Sequence, residues 1–211
     1  MARLKGALEA IGIDSSRLDV VLMQLVNLMK DGEPVRMSKR TGNAVTLVDL
    51  LDEVPIDAAR FFFNMREPGS TIDFDLGLAV KEDSQNPVYY CQYANARICS
   101  ILRKMKEEGI EPRDCTEEEL MLLNAPEERE LIRHLSALTD EIITAAKDYD
   151  PARITRYAVT LATLFHKFYN ACRVGVDDEK LRAARLYLCC RVKDVMGIIL
   201  TEFKITVPES M

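Results

Sequence analysis

The chain has 211 residues, 48% of them hydrophobic and 29% charged, an ordinary globular composition large enough for one core with an appendage. With 28 Lys and Arg against 34 Asp and Glu its formal charge is −6, so any nucleic-acid binding has to come from a local basic face rather than bulk attraction. No apolar run reaches the roughly 18 residues of a membrane span, and Met1 leads into a segment without the apolar core and cleavage site of a signal peptide. These features predict a soluble, intracellular protein with no membrane partner; a cytoplasmic monomer is the expectation carried forward.

Six cysteines are present, but none lies in a Cys-x-x-Cys spacing and no His-x-His pair accompanies them. The expectation is reduced thiols in the core and no metal site. The two histidines, His134 and His166, read as structural or surface residues.

In chain order, Arg3 to Ile11 predicts a short helix. Val20 to Met29 is a long aliphatic run, and the Asp31-Gly32 pair that follows is a strong hairpin signal. A strand, a turn and a return strand at Pro34–Met37 follow from it; a helix over 20–29 stays open, because periodicity alone does not settle a short apolar run. Thr46-Leu-Val-Asp49 is a capping-box pattern for a helix ending near Val54-Pro55. Ile56 to Arg66 predicts another short helix, and Thr71 to Asp75 alternates like a small strand.

Beyond residue 75 the pattern is helical. Asn86-Pro87 and Asp150-Pro151 each place a capping residue before a proline, and Thr116-Glu-Glu-Glu119 is a second capping box. Apolar stripes at three- and four-residue spacing run from Val88 to Met105, Leu131 to Ala145, Ile154 to Cys172 and Leu181 to Ile199. They predict long helices of roughly 20 residues packed as an antiparallel bundle. The fold class is therefore mainly α: a short α/β segment over 1–75 and a helix bundle over 76–211.

The densest polar chemistry is Arg36-Met-Ser-Lys-Arg40 with Thr41-Gly-Asn43 behind it, between the hairpin and a capped helix. Cations crowded this closely call for an anion, and Ser38, Thr41 and backbone N–H groups add neutral donors. A phosphate ligand fits that inventory; a solvated basic loop fits it as well. The loop resembles the lysine-methionine-serine-lysine-serine signature of class I aminoacyl-tRNA synthetases. Its surroundings, Asp31 to Asn43 and Val45 to Leu51, are similar to the arginyl family in particular. So are Asp57-Ala-Ala-Arg-Phe-Phe-Phe63, Asp73-Phe-Asp-Leu76, Asn86-Pro-Val-Tyr-Tyr-Cys-Gln-Tyr-Ala94 and Phe165-His-Lys-Phe-Tyr-Asn-Ala-Cys-Arg-Val174.

The resemblance implies a C-terminal part of such an enzyme: the end of the catalytic domain over 1–75 and an anticodon-binding domain over 76–211. It makes Lys39 the catalytic cation that steadies the ATP phosphates, with Arg36, Ser38 and Arg40 beside it in the ATP (and Mg) site. Arg36 and Arg40 depart from the class pattern, which has lysine and serine there. The class's other ATP signature, His-x-Gly-His, is nowhere in the chain. The resemblance therefore implies no adenylate formation and no tightly held cofactor by this chain alone, with arginine and ATP partners of the whole enzyme only. The implied partner of the bundle is the tRNA anticodon stem-loop. Unpaired bases are read by stacking on aromatic or Arg planes and by bonding at their edges. Tyr89, Tyr93, Asn95 and Arg97 on one helix, Tyr169, Asn170 and Arg173 on a second, Arg182 and Arg185 on a third, and terminal Met211 form the expected RNA-binding set. A free-standing RNA-binding bundle without ATP chemistry is the alternative.

Overall fold

A computed structural model gives the fold and describes residues 1–30, 32–35 and 46–211. The first part begins with helix α1 (Ala2–Ala10) and a 3₁₀ turn at Ser15–Arg17. Strand β1 (Val26–Lys30) turns at Gly32, whose φ of +80° suits a residue without a Cβ, into β2 (Glu33–Pro34). The hairpin forms as expected, but β1 is shorter than the aliphatic run: residues 20–25 lie in no regular element, and no helix forms there. Of the expected return strand, Arg36 and Met37 lie outside the described residues.

Thr46 caps helix α2 (Leu47–Glu53), its hydroxyl accepting from the Asp49 N–H at 3.2 Å while the Asp49 carboxylate accepts from the Thr46 N–H at 2.7 Å. Helix α3 (Ile56–Phe63) stops one turn earlier than expected, where the Asn64 amide donates back to the Arg60 carbonyl at 2.8 Å. Strand β3 (Ile72–Asp75) pairs in parallel with β1, Val26 facing Ile72 and Met29 facing Asp75, so the sheet order is β2-β1-β3. Its apolar residues alternate inward: Ile72 and Phe74 are buried, and the Phe62 and Phe63 rings lie 5.4 and 5.2 Å from Phe74.

The rest is helical: α4 (Leu76–Ala79), α5 (Pro87–Glu107), α6 (Glu117–Leu120), α7 (Pro126–Ser136), α8 (Leu138–Asp148), α9 (Ala152–Ala171) and α10 (Glu179–Glu202). The Asn86 side chain caps α5 with Pro87 in its first turn, and the Thr116 box opens the single turn of α6. One expectation is corrected. The stripe from Leu131 to Ala145 belongs to two 11-residue helices, α7 and α8, separated by a turn at Ala137.

Helix α9 is the centre of the bundle, packed against α5, α7, α8 and α10, with Leu161, Phe165 and Phe168 wholly buried. Gln92 near the start of α5 bonds to Thr206 beyond α10, whereas Met105 near its end touches Gly175 before α10. Those two helices therefore run antiparallel. One buried apolar cluster extends from Leu28 through Phe61 and Phe74 to Leu200 and Ile205. All six cysteines are free; four are buried, with burial pushing the Cys91 and Cys189 thiols well up, whereas Cys115 and Cys190 are only half-buried and depart from the expected core placement. No helix among the described residues is long and apolar enough to cross a membrane.

A buried ion pair ties three helices together. Glu128, 1% exposed, accepts from its cap residue Ala125 N–H at 2.8 Å and from Arg185 Nε at 2.7 Å. Arg185 also donates to the Arg173 carbonyl at 2.7 Å, so α7, the end of α9 and α10 meet at one guanidinium. Removing one partner of such a pair strands the other charge in the core. Arg185→Leu is expected to lower the unfolding free energy by about 3 kcal/mol in a denaturant titration; a loss below about 0.5 kcal/mol, the level of an ordinary surface change, would contradict this role.

Candidate nucleic-acid interface

Arg36, Ser38, Lys39 and Arg40, the expected phosphate site, lie outside the described residues. The expected RNA-binding residues are described, and the bundle sorts them into groups.

On α5, Tyr89, Tyr93 and Arg97 follow one another at four-residue spacing and share a face. The Tyr89 and Tyr93 rings are nearly parallel, 7° apart with centroids at 6.5 Å. Arg97 donates to the Tyr93 hydroxyl, and its guanidinium lies 4.9 Å from the Tyr93 ring and 4.8 Å from the Tyr169 ring of α9. One cation thus lies within cation–π distance of two aromatic rings. The Tyr93 hydroxyl hydrogen bond raises the Arg97 pKa further, against the opposing effect of burial, so this cation is permanent.

The last residues form the third wall. Gln92 donates to the Thr206 carbonyl at 3.1 Å, Asn95 Nδ2 to the Pro208 carbonyl at 2.8 Å, and Arg103 to the Glu209 carbonyl at 3.4 Å. Asp57 on α3 accepts from the Thr206 N–H at 3.1 Å and from its hydroxyl. The tail is thus strapped along α5. Between strap and helices lies a groove of about 400 Å³, lined by Tyr93, Arg97, Arg103, Lys104, Tyr169 and Met211 among others. A permanent cation, two more basic residues, two rings and a thioether suit a stacked, edge-bonded base next to a phosphate.

Three expected residues do other work. Asn95 is wholly buried, so its amide holds the tail instead of meeting a ligand. Arg185 is the buried partner of Glu128. Arg182 donates to the Val176 carbonyl at 2.9 Å and shapes the loop before α10. Arg173 is exposed and lines none of the described cavities. Tyr89 and Asn170 sit beside the groove, around the same tyrosine cluster.

His166 is the residue that pattern reading undervalued. It packs among Tyr90, Tyr93 and Phe165, at 4.8, 5.7 and 5.5 Å between ring centroids. Burial, and then the neighbouring Arg97 charge, hold its pKa below the usual imidazole value, so the ring is neutral at neutral pH. The signal for it was its place three residues before Tyr169 on the same helix.

The chain is similar to known proteins along its whole length. Residues 91–211 match the model of the DALR anticodon binding domain. The arginine–tRNA ligase of Caldanaerobacter subterraneus subsp. tengcongensis is 52% identical over the whole chain, and that of Acetivibrio thermocellus 50%. The chain spans 38% and 37% of their lengths. A solved Campylobacter jejuni arginyl-tRNA synthetase structure superposes with a TM-score of 0.83 at 31% identity, covering 99% of this chain and 44% of that one. The Thermus thermophilus arginyl-tRNA synthetase gives 0.70 at 25% identity, covering 87% and 34%. The family match contains α5 from Cys91 onward, all of α9 and α10, and the strapped tail; the groove they build belongs to a chain of the DALR anticodon-binding domain family.

Proposed function

We propose that this chain is the tRNA-reading part of an arginine–tRNA ligase, and that the groove between α5, α9 and the tail takes an unpaired base of the anticodon loop. The observation that carries this reading is Arg97 against the Tyr93 and Tyr169 rings, lining one groove with the strapped Met211. Stacking and edge bonding are available there together, in a chain whose net charge of −6 gives no general attraction to RNA.

The relatives that match the whole chain are arginine–tRNA ligases more than twice its length. In that setting residues 1–75 end the catalytic domain and residues 76–211 form the anticodon-binding domain. ATP with Mg and arginine are then substrates of the whole ligase. Lys39 supplies a positive charge to the triphosphate, with Arg36, Ser38 and Arg40 beside it, and the whole protein is a cytoplasmic monomer. The second reading, an RNA-binding module without ATP chemistry, leaves the basic loop without a task.

Two measurements test the proposal. Base stacking contributes roughly 1–3 kcal/mol and depends little on salt, whereas each neutralised phosphate contributes a slope of about 0.7 in log K against log salt for single strands. In titrations of anticodon stem-loops, Tyr169→Ala is expected to weaken binding equally at low and high salt. Lys104→Ala is expected to flatten the salt slope. Equal affinity of the parent for cognate and scrambled loops would overturn the assignment. In the whole ligase, Lys39→Ala is expected to slow arginine-dependent ATP–pyrophosphate exchange by about 3–4 kcal/mol of lost stabilisation and to leave tRNA affinity unchanged. Undiminished exchange would remove Lys39 from the chemistry.

A further inference from the structure

The segment Asp57-Ala-Ala-Arg60 at the start of α3 finds its partners at the far end of the chain. Asp57 and Arg60 lie three residues apart and so share one face of the helix. Ala58, Ala59, Phe61 and Phe62 are buried and fix α3 in the core. The face that carries Asp57 and Arg60 meets the tail where it leaves α10.

Both side chains are occupied by that meeting. Asp57 Oδ2 accepts from the Thr206 N–H at 3.1 Å, from the Thr206 hydroxyl, and from Gln92 Nε2 at 3.0 Å. Three donors converge on one carboxylate oxygen, and two of them come from a single tail residue. Hydrogen bonds to an ionised acceptor are stronger than neutral ones, so this is a directed anchor. Arg60 Nη1 donates to the Lys204 carbonyl, 144 positions away in sequence.

Lys204 is a residue that needs holding. Its φ is +56°, a left-handed conformation that side chains with a Cβ rarely adopt. The turn closes α10: the Lys204 N–H donates to the Thr201 carbonyl and the Ile205 N–H to the Leu200 carbonyl, both at 2.9 Å. A lysine where glycine is usual persists when its surroundings over-determine it. Arg60 on its carbonyl and the buried Ile205 behind it supply that restraint.

The tail is therefore held from two sides. Asn95 and Arg103 of α5 hold its far half at Pro208 and Glu209, and α3 holds its near half at Lys204 and Thr206. Asp57 and Arg60 do not line the groove that the tail walls. Whatever they contribute to a ligand there passes through the tail.

We propose that Asp57 and Arg60 are positioning residues of the RNA site: from α3 they seat the near half of the tail, and they link the order of α3 to occupancy of the groove. This rests on the anticodon-loop reading given above. The link is reciprocal, since a ligand that favours the seated tail must also favour the packed α3.

The test combines hydrogen exchange on the whole chain with titrations of anticodon stem-loops. In the free chain, Asp57→Ala and Arg60→Met are each expected to speed amide exchange over residues 204–211 by about tenfold, with exchange inside α9 unchanged. Both are expected to bind the cognate stem-loop about tenfold more weakly, a coupling of ordinary size. The slope of log K against log salt is expected to stay that of the parent, because neither residue meets a phosphate. Thr206→Val removes one donor from the tail's side, leaves α3 intact, and is expected to weaken binding roughly two- to tenfold. Saturating stem-loop is expected to slow exchange over Ile56–Phe63 in the parent and not in Asp57→Ala. Circular dichroism melts establish that each variant folds; should the α3 variants fail to fold, parent affinity in Thr206→Val overturns the proposal. Parent-like tail exchange in Asp57→Ala and Arg60→Met overturns the clamp. A loosened tail with parent affinity overturns the positioning role, as does a flattened salt slope in Arg60→Met, which would make Arg60 an RNA contact. If the parent shows no preference between cognate and scrambled loops, the anticodon reading falls and the RNA role with it, while exchange in the free chain still decides whether α3 holds the tail.

Discussion

A buried amide fixes where the segment after α10 lies. Asn95 sits wholly enclosed in the middle of α5, and its Nδ2 donates to the carbonyl of Pro208, 113 residues away in sequence. A polar group so placed needs a partner, since leaving a buried donor unmade costs about 1–3 kcal/mol. The tail supplies it for Nδ2, while the buried Oδ1 has no partner among the described residues. Once Pro208 is held there, Thr206 falls within reach of Gln92 and Asp57, and Glu209 of Arg103. The strap then becomes a wall of the groove that Arg97 and Tyr169 would otherwise leave open. Interior packing of α5 and the shape of its outer face are set by the same residue.

The electrostatics follow from this local construction. The protein is acidic overall, and many of its cations are already spoken for: Arg185 by Glu128, Arg113 by Glu119, Arg153 by Glu141, Arg156 by Glu67 and Asp150. Arg97 differs in that its neighbours are tyrosines, which hold a guanidinium in place without neutralising it. That leaves a positive, flat, oriented group at the surface of an acidic molecule. Selectivity for one loop over another RNA is the expected consequence of such a face, because little of the attraction is indifferent to sequence.

Much of the fold is written in local chemistry and was legible for that reason. The Thr46 and Thr116 boxes, the Asn86-Pro87 start and the Gly32 turn each involve residues within three or four positions of one another. Helix α5 could be read in both its faces, because stripe and tyrosines follow the same spacing. The break at Ala137 was hidden, because the apolar stripe continues in phase across it. The roles of Asn95, Arg182 and Arg185 were hidden more deeply. Each is a polar side chain on a helix that sequence places near a suitable surface; Asn95 and Arg185 are claimed by partners that only the fold brings near, and Arg182 by the Val176 carbonyl in the loop before its own helix. Arg185 meets Glu128 across 57 positions. Residue type said what these side chains could bond to, and topology decided what they do bond to. His166 was passed over because a lone histidine on an apolar face is usually packing; its ring does pack, and its unpartnered nitrogen is visible only once Tyr90, Tyr93 and Phe165 are placed around it.

The central claim is that the groove between α5, α9 and the tail is where RNA sits, and photo-crosslinking tests it most directly. An anticodon stem-loop carrying a photoreactive base at each unpaired position in turn would be irradiated on the chain, and the attached peptides mapped by mass spectrometry. The account predicts attachment within residues 87–107, 165–171 and 206–211. Attachment confined to α6, α7 and α8, with none to Tyr93, Tyr169 or the tail, would contradict it.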